Sequence, residues 1–155
     1  IVLPATGILM NNGIMWFDPE PGKPNSLAPG KRCLTNYCPV IAERGGQRMA
    51  VGASGGRRIL PAVQQLLSFV FDYDLDLDTA FHAPRIDASE GGTVVGDTNL
   101  APEIHRTLHE HFDYVPMRRQ TLPFKFACPS SIMSTAAGNW GATEVAAPWA
   151  DVALE

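Results

Sequence analysis

The chain has 155 residues, of which 45% are hydrophobic and 18% charged, so it can bury the core of one ordinary domain and is not disordered by composition. Its 12 basic and 16 acidic residues give a net charge of −4, which offers no reason to expect nucleic acid or an anionic membrane surface as a partner. No apolar run approaches the roughly 18 residues that span a bilayer. No targeting segment is visible, and the compartment stays open.

Two apolar clusters open the chain, Ile1–Leu3 and Ile8–Met10, and the glycine-containing turn between them predicts a short strand or strand pair. The next stretch, Pro19–Arg32, holds four prolines and two glycines in 14 residues. That density predicts a loop rather than a helix or strand, and a loop of this length tends to be functional or mobile.

A hairpin and the clearest helix follow. Val40–Ala42 and Met49–Val51 are apolar and flank a Gly45-Gly46 turn, which is typical of a β-hairpin. Pro61 is compatible with the first turn of a helix, where its missing N–H costs nothing. The spacing of a buried helical stripe is kept by Ile59, Val63, Leu66, Leu67, Val70 and Phe71.

Two shorter helices are predicted further along. The stretch "LDTAFHAPRID" indicates a helix capped by Asp78 or Asp76 that ends before Pro84, because the residue before a proline resists helical geometry. The stretch "NLAPEIHRTLHEHF" indicates another, with Asn99 as its N-cap and Glu103 in its first turn.

Strands are predicted on either side of this last helix. The stretch "TVVGD" (Thr93–Asp97) is a short strand candidate. The stretch "SSIMSTAAGNWGATEV" predicts a hairpin that turns at Gly138-Asn139. Helices and strands are therefore mixed along the chain. The final Leu154-Glu155 can be left by an expression vector and carries no argument.

No metal or cofactor is expected. Three cysteines are an odd count for a disulfide framework, and the spacing of Cys33 and Cys38 is a poor zinc signature, which favours buried free thiols. His105 and His109 stand four residues apart and could share a metal, but no third ligand is evident, so a solvated helix face is the favoured interpretation. The arginines at 57, 58, 118 and 119 could pair substrate carboxylates, with surface charge as the default. Arg85 lies at a helix end and suits a structural salt bridge or a contact with the C-terminal carbonyls of that helix.

The stretch "AVGASGGRRILPAVQQLL" raises the main chemical question. If a strand ends near Ala53 and a helix starts near Arg57, the backbone N–H groups of Gly55 and Gly56 lie close to a helix N-terminus. Such a place attracts anions, and in an acyl-transfer enzyme it serves as an oxyanion hole. The alternative is a turn that needs glycine only for its backbone conformation. The residues alone leave both interpretations open.

Several segments in fixed order resemble the small subunit of gamma-glutamyltranspeptidases. They are "TGILMNNGIMWFD", "PNSLAPGKRCLTNYCPVI", "VGASGGRRILPAVQQLL", "LDTAFHAPRID" and "SIM". The matching family stretches read approximately T-G-[IV]-L-L-N-N-x-M-D-D-F, P-N-x-x-x-P-G-K-R-P-L-S-S-M-x-P-T-I, G-S-P-G-G-S-x-I and A-x-x-A-P-R-x-H. The similarity covers residues 1–87 well and the rest loosely.

The resemblance implies an α+β fold, an αββα sandwich of two stacked antiparallel sheets between helix layers. It implies a precursor that cleaves itself and frees an N-terminal threonine, which attacks a γ-glutamyl amide and passes the acyl group to water or an amine. Residues 1–155 would form a single domain, the C-terminal part of the small subunit. The nucleophile would lie upstream of Ile1. The implied partners are the large subunit of the same precursor and a small-molecule amide. The chain alone is expected to be inactive, and its exposed apolar surface to favour self-association.

The resemblance also implies roles for particular residues. Gly55 and Gly56 match the glycines whose amides stabilise the oxyanion. Thr35 and Asn36 match a serine pair that binds the donor's α-carboxylate. The remaining candidates for substrate binding are Asn11, Asn12, Trp16, Tyr37 and Ser54.

Some positions depart from the family pattern. Where the family has an acidic pair before phenylalanine, this chain has Met15-Trp16, so an indole replaces the carboxylate that holds the donor's ammonium. Asp18, one step past the phenylalanine, is a candidate substitute, although its side chain would project differently. Glu144–Ala146 replaces the closing D-P-R triplet. A buried ammonium without a carboxylate costs several kcal/mol, and a cation–π contact returns only about 1–2 kcal/mol. We therefore expect an acyl donor without that ammonium, such as a dicarboxylate monoamide or an apolar acyl group.

A second class of function stays open from the sequence. A relative that has lost catalysis could keep the scaffold and bind a small anion or a protein. The residue at the upstream nucleophile position separates the two, because a threonine behind a cleavable bond indicates the enzyme.

Overall fold

The computed structural model describes residues 1–120 and 125–153, so Leu154-Glu155 lies outside the described residues. The chain divides into two compact units, residues 1–36 and 37–155. The single domain expected for residues 1–155 stays a prediction. The helices and strands of the second unit are β1 (Val40–Arg44), β2 (Gln47–Ser54), α1 (Ile59–Phe71), α2 (Leu77–His82), β3 (Ile86–Asp87), β4 (Thr93–Asp97), α3 (Pro102–His111), β5 (Asp113–Met117), β6 (Cys128–Thr135) and β7 (Gly138–Thr143).

The first unit is built from turns and one short 3₁₀ helix. Its predicted strand pair is reduced to one antiparallel bridge between Val2 and Leu9. The 3₁₀ helix spans Gly13–Trp16. The predicted loop Pro19–Arg32 contains no helix or strand, and it meets the preceding chain at a bridge between Asp18 and Ser26. Here the loop prediction is confirmed.

The second unit contains a four-stranded antiparallel sheet in the order β1-β2-β6-β7. The predicted β1–β2 hairpin is confirmed, since Arg44 pairs with Gln47 across Gly45-Gly46. The predicted turn of the β6–β7 hairpin is wrong by two residues. The chain turns at Ala136-Ala137, where the Thr135 hydroxyl accepts the Ala137 N–H at 3.1 Å, and Asn139 is already paired with Ser134.

All three predicted helices form. α2 begins at the predicted cap, where Asp76 Oδ1 accepts the Thr79 N–H at 2.8 Å, and it ends before Pro84. The predicted N-cap of α3 is wrong. Ala101 occupies that place because Pro102 fits the first helical position, while the Asn99 N–H binds Asp97 Oδ1 at 3.0 Å in the preceding turn.

A second, three-stranded sheet has the order β3-β4-β5. The strand Thr93–Asp97 was predicted from the sequence, whereas its neighbours were not. β3 has only two residues, and β5 carries Pro116. A proline argues against a central strand, because it has no backbone N–H to donate to the neighbouring strand. β5 tolerates this proline because it lies at an edge, parallel to β4.

The core lies between one face of the four-stranded sheet and the helices α1 and α2. Met49 and Val51 of β2 and Met133 of β6 share this face, because directly paired residues in antiparallel strands point the same way. The buried members of the core are Met49, Val51, Ile59, Val63, Leu66, Val70, Leu77, Ala80, Phe81 and Met133. The apolar stripe predicted for α1 is thus confirmed at its inner positions.

The opposite face of this sheet carries apolar side chains that the described residues leave exposed. Ile41 of β1 is 72% exposed and Ile132 of β6 is 51% exposed. These residues line an open groove of ≈ 700 Å³, together with the segment Asp151–Ala153. We call this the open sheet face, defined by Ile41, Ala50, Gly52, Ser130 and Ile132.

The architecture is α+β, as predicted, with helices packed on one side of an antiparallel sheet. None of the helices formed by the described residues has the length and apolar character needed to cross a membrane.

Candidate active site

The double glycine lies where a strand passes into a helix. β2 ends at Ser54, a 3₁₀ turn spans Gly56–Arg58, and α1 continues from Ile59. Gly55 and Gly56 have φ angles of 147° and 63°, in the region that favours glycine. The Arg58 N–H binds the Gly55 carbonyl at 3.2 Å, which closes the turn. The predicted strand-to-helix position is confirmed, and the role in oxyanion binding stays a prediction.

The surroundings of this turn are held by neighbouring elements. Ser54 pairs with Cys128 at the start of β6. Arg58 forms an ion pair with Glu90, so this arginine has a structural partner, whereas Arg57 is exposed. The turn is therefore fixed on one side by the sheet and on the other by a charged contact.

Three of the predicted substrate-binding residues lie in the short helix of the first unit or directly before it. Asn11 Oδ1 accepts the N–H of Gly13, the first residue of the helix, at 2.7 Å, and Asn12 occupies the N-cap position. The Asn12 side chain donates to the Met15 sulfur at 3.4 Å. Trp16 ends the helix and is half-buried.

The Asp18 carboxylate is held by contacts within its own loop. Its Oδ2 lies 3.0 Å from Lys23 Nζ, and its Oδ1 accepts the Glu20 N–H at 2.9 Å. Lys23 also contacts Glu20, and the hydrogen bonds that its ammonium group donates to Glu20 and, with a smaller effect, to Asp18 raise the pKa of Lys23. The Asp18 carboxylate is therefore engaged within the loop.

The anion-binding candidates lie at the junction of the two units in the sequence. Thr35 is exposed and Asn36 is half-buried at the end of the first unit, and Tyr37 is exposed at the start of the second. The segment before them is tied to the short helix by Asn25. The Asn25 Nδ2 donates to the Trp16 carbonyl at 2.6 Å, and its Oδ1 accepts the Leu34 N–H at 3.0 Å.

Asn25 is not one of the site residues predicted from the sequence. Its signal in the sequence is only an asparagine inside a loop of prolines and glycines, which is ordinary turn composition. Both of its contacts are to backbone groups distant in sequence, so no local pattern indicates them.

The histidine pair of α3 faces an aromatic ring. Tyr114 Oη lies 2.6 Å from His105 Nδ1, and the rings of His109 and Tyr114 meet edge to face at 4.8 Å. Burial raises the pKa of Tyr114, with the Asp97 charge as a second cause. Among residues 1–120 and 125–153, no group of three or more acidic, histidine or cysteine side chains could hold a metal ion.

A buried cluster of four charges connects the segment after α2, the second sheet and the chain after β7. Arg85 forms an ion pair with Glu144, and both side chains are almost fully buried. The Arg119 Nε lies 3.5 Å from Glu144 Oε1 and 3.6 Å from Asp97 Oδ2. Burial lowers the pKa of Arg85, and the charge of Glu144 opposes this shift. The structural salt bridge predicted for Arg85 is thus confirmed, with Glu144 as the partner that the sequence did not identify.

Cys128 lies close to this cluster. Burial raises the pKa of its thiol, and the nearby Glu144 charge adds to this, while Arg85 opposes it. The thiol is free, as are those of Cys33 and Cys38. The prediction of free thiols is therefore confirmed, but the three cysteines are partly exposed, so the expectation that they are buried is wrong.

Known proteins share both sequence and fold with this chain. The Acylase ACY 1 proenzyme of Pseudomonas sp. (strain SE83) is 38% identical over 95 residues, covering 61% of this chain and 17% of that proenzyme. The Glutathione hydrolase proenzyme of Bacillus subtilis (strain 168) is 33% identical over 87 residues, covering 56% of this chain and 15% of that proenzyme. The chain thus spans about one sixth of the length of these relatives.

Solved structures agree on the fold. The gamma-glutamyltranspeptidase from Pseudomonas nitroreducens, complexed with L-DON, superposes with a TM-score of 0.71 at 22% identity, covering 100% of this chain and 86% of that one. A mutant of the same enzyme with tryptophan changed to aspartate, described as highly active, gives a TM-score of 0.70 over the same shares at the same identity.

The family model described as Gamma-glutamyltranspeptidase matches residues 1–148, which is nearly the whole chain. Relatives of this kind are proenzymes, and their structures are of the N-terminal nucleophile hydrolase type. The chain therefore belongs to the gamma-glutamyltranspeptidase family.

Proposed function

We propose that this chain is part of an amidohydrolase and acyltransferase that uses an N-terminal threonine as nucleophile and cleaves a γ-glutamyl or related amide through an acyl-enzyme. The observation that carries this proposal is the Gly55-Gly56 turn between β2 and α1, in a chain that matches the family over residues 1–148. The chain supplies the oxyanion hole and part of the acyl pocket. The nucleophile comes from a segment outside these 155 residues.

The glycine turn suits this role for a physical reason. When the threonine attacks the acyl carbon, the carbonyl oxygen gains negative charge. Backbone N–H groups at the start of a helical segment are oriented toward such a charge before it forms, so little reorganisation is needed. Loss of one such donor typically lowers kcat by about 10²–10³-fold. Glycine at both positions also lets the acyl group approach the backbone closely.

The acyl donor is best matched by a dicarboxylate monoamide. Trp16 offers no charge to an ammonium group, and the nearby Asp18 carboxylate is already engaged by Lys23 and the Glu20 N–H. Thr35 and Asn36 provide a hydroxyl and an amide for the far carboxylate of the acyl chain. An acylase proenzyme is among the relatives, which supports a donor other than a γ-glutamyl amino acid.

The open sheet face supports a large-subunit partner. Ile41 and Ile132 are apolar and exposed on a sheet whose other face is covered by α1 and α2. A second sheet of the same precursor, stacked on this face, would complete the sandwich that the family implies and bury these side chains.

The experiment is to express the complete precursor that contains this chain and to measure its mass and its hydrolysis of two anilides. Cleavage into two subunits, and a glutaryl anilide hydrolysed with higher kcat/KM than the γ-glutamyl anilide, are expected. A precursor that stays whole and turns over neither donor contradicts the proposal and indicates a non-catalytic binding protein. Efficient hydrolysis of the γ-glutamyl anilide by the unaltered protein contradicts the choice of donor.

The matched variant is Trp16→Asp, with Trp149→Asp as its control, because Trp149 is an exposed tryptophan of the second unit. A carboxylate at position 16 can pair with the donor ammonium, so the preference should move toward the γ-glutamyl donor by about 10–100-fold. The control should leave the ratio of the two donors unchanged.

A further inference from the structure

The Asn25 side chain joins two segments that both carry predicted substrate-binding residues. Its Nδ2 donates to the carbonyl of Trp16, the last residue of the 3₁₀ helix. Its Oδ1 accepts the N–H of Leu34, the residue before Thr35. One planar amide group therefore sets how far the helix that ends in Trp16 lies from the segment that leads to Thr35 and Asn36.

The loop around Asn25 is braced, so this amide does not move independently. The Ser26 hydroxyl accepts the Lys23 N–H at 2.8 Å and donates to the Glu20 carbonyl at 2.5 Å, and Ser26 is only 6% exposed. The Lys23 ammonium adds ion pairs to Asp18 and Glu20. The backbone of the loop around Asn25 is thus held in place by side-chain contacts as well as by backbone hydrogen bonds.

A second contact spans the same gap. The Cys33 thiol donates to the Gly13 carbonyl at 3.7 Å, which joins the first residue of the helix to the residue before Leu34. This thiol contact is weak, whereas the Asn25 contacts are two ordinary amide hydrogen bonds. Asn25 therefore dominates the connection.

We propose that Asn25 is a positioning residue that sets the length of the acyl chain the enzyme accepts. This inference rests on the proposed function, because it assumes that Trp16, Thr35 and Asn36 contact the acyl donor. Asparagine is required since its head group offers one donor and one acceptor in a single plane. The side chain touches neither the amide bond that breaks nor the oxyanion. Asn25 acts only by holding the helix that ends in Trp16 at a fixed distance from the segment that leads to Thr35. This distance selects a dicarboxylate of matching length.

The test uses the complete precursor with Asn25→Asp, Asn25→Ala and, as a matched control, Asn99→Asp. Asn99 is exposed, and among the residues that the structure describes its one hydrogen bond is from its backbone N–H to Asp97 Oδ1. In Asn25→Asp the acceptor for Leu34 remains, but the second carboxylate oxygen repels the Trp16 carbonyl. We expect KM for the glutaryl anilide to rise by about tenfold or more, with kcat changed by less than about threefold, because binding is lost equally in ground and transition states.

Two further readouts separate positioning from general damage. The ratio of glutaryl to adipyl hydrolysis should fall by about tenfold in both Asn25 variants, because the helix and the segment are no longer held at one distance. In Asn25→Asp the loss should also be reversed at low pH. Once the introduced carboxyl is protonated, near pH 4, it can donate to the Trp16 carbonyl as the amide does. A variant that is merely misfolded regains nothing on acidification.

The outcomes distinguish this proposal from the function on which it rests. An active wild-type precursor whose Asn25 variants keep the KM, the chain-length ratio and the pH profile of Asn99→Asp overturns the role of Asn25 alone. A wild-type precursor that turns over no donor and binds no glutarate by calorimetry overturns both proposals. Amide hydrogen exchange at Leu34 checks the contact itself, since Asn25→Ala should accelerate it and Asn99→Asp should not.

Discussion

The Arg85 guanidinium donates to the Glu144 carboxylate in a place where both side chains are almost completely removed from water, 1% and 4% exposed. A second donation from Arg85 Nη2, to the Ala127 carbonyl at 3.2 Å, extends this contact to the chain just before β6. The pair therefore ties the residue after β7 to the sheet through two buried groups. The pair matters to stability because removing one partner leaves the other charge buried without compensation.

Removing one charge of this pair should destabilise the protein strongly. Glu144→Ala leaves Arg85 buried beside Arg119, so we expect the free energy of unfolding, from urea denaturation, to fall by about 3–5 kcal/mol. The double variant Arg85→Met with Glu144→Leu should recover most of this loss. The control is Glu43→Ala at the exposed Arg48–Glu43 pair, where about 1 kcal/mol or less is expected. Equal losses at the two sites would contradict a buried role for Glu144.

Gly56→Ala should lower both stability and turnover. The Gly56 φ of 63° costs a residue with a side chain about 1–2 kcal/mol, and relief of that strain would turn the backbone N–H groups of the glycine turn. We expect kcat of the complete enzyme to fall by about tenfold or more. Gly46→Ala is the control, because Gly46 has a similar φ of 81° at the tip of the β1–β2 hairpin. It should show the loss of stability without the loss of kcat.

The alkylation of the Cys128 thiol by iodoacetamide should have a raised pH midpoint. Burial and the Glu144 charge raise its pKa, so the pH midpoint of its alkylation rate should lie above the ordinary value of about 8.5. The pH midpoint is measured because poor access of iodoacetamide to the thiol lowers the rate at every pH but does not shift the midpoint. In Glu144→Gln one of the two causes is gone and the midpoint should move down. A midpoint that stays or rises in this variant would show that Glu144 does not act on the thiol.

The Asp76 cap should give α2 a stability that depends on acid pH. The backbone and side chain of Thr79 donate to its carboxylate and hold the pKa of Asp76 below its usual value of 3.8. A group with a lowered folded pKa contributes fully above its unfolded pKa, and this contribution is lost as the pH falls through the lowered value.

Thermal unfolding from pH 7 to pH 2 checks this dependence. Asp76→Asn should be less stable than the wild type at pH 7, and the gap should close as the pH falls below about 4. Asp74→Asn is the control, because Asp74 is exposed at a φ of 53° that asparagine accepts. A gap that stays constant down to pH 2 would contradict a charged cap.

Local patterns predicted much of this fold. The spacing of Ile59, Val63 and Leu66 was enough to predict α1, and the double glycine at 45 and 46 was enough to predict the first hairpin, because both signals lie within a few residues. The second hairpin was misplaced because Gly138-Asn139 is a good turn dipeptide, but the pairing of Asn139 with Ser134 outweighs it. β5 was missed since Pro116 argues against a strand unless the strand is known to lie at an edge.

The candidate site likewise contains features that the sequence predicts and features that it does not. The glycine turn could be found from the sequence because strand, glycines and helix are consecutive. Asn25 and Glu144 could not, because their partners are backbone groups or charges brought near only by the fold. A buried carboxylate in particular has no sequence signal, since acidic residues are usually exposed.

The double hydrogen bond of Asn25 also bears on how the protein ages. Asparagine is among the residues that heat degrades. To form a succinimide, the backbone nitrogen of Ser26 would have to attack the Asn25 side chain. That Ser26 N–H is hydrogen-bonded to the Lys23 carbonyl at 3.1 Å. Ring closure must break this bond and both contacts of the amide. The native fold therefore protects this asparagine from deamidation. Chain that has lost the fold, by heat or long storage, acquires an aspartate there as covalent damage that refolding does not repair.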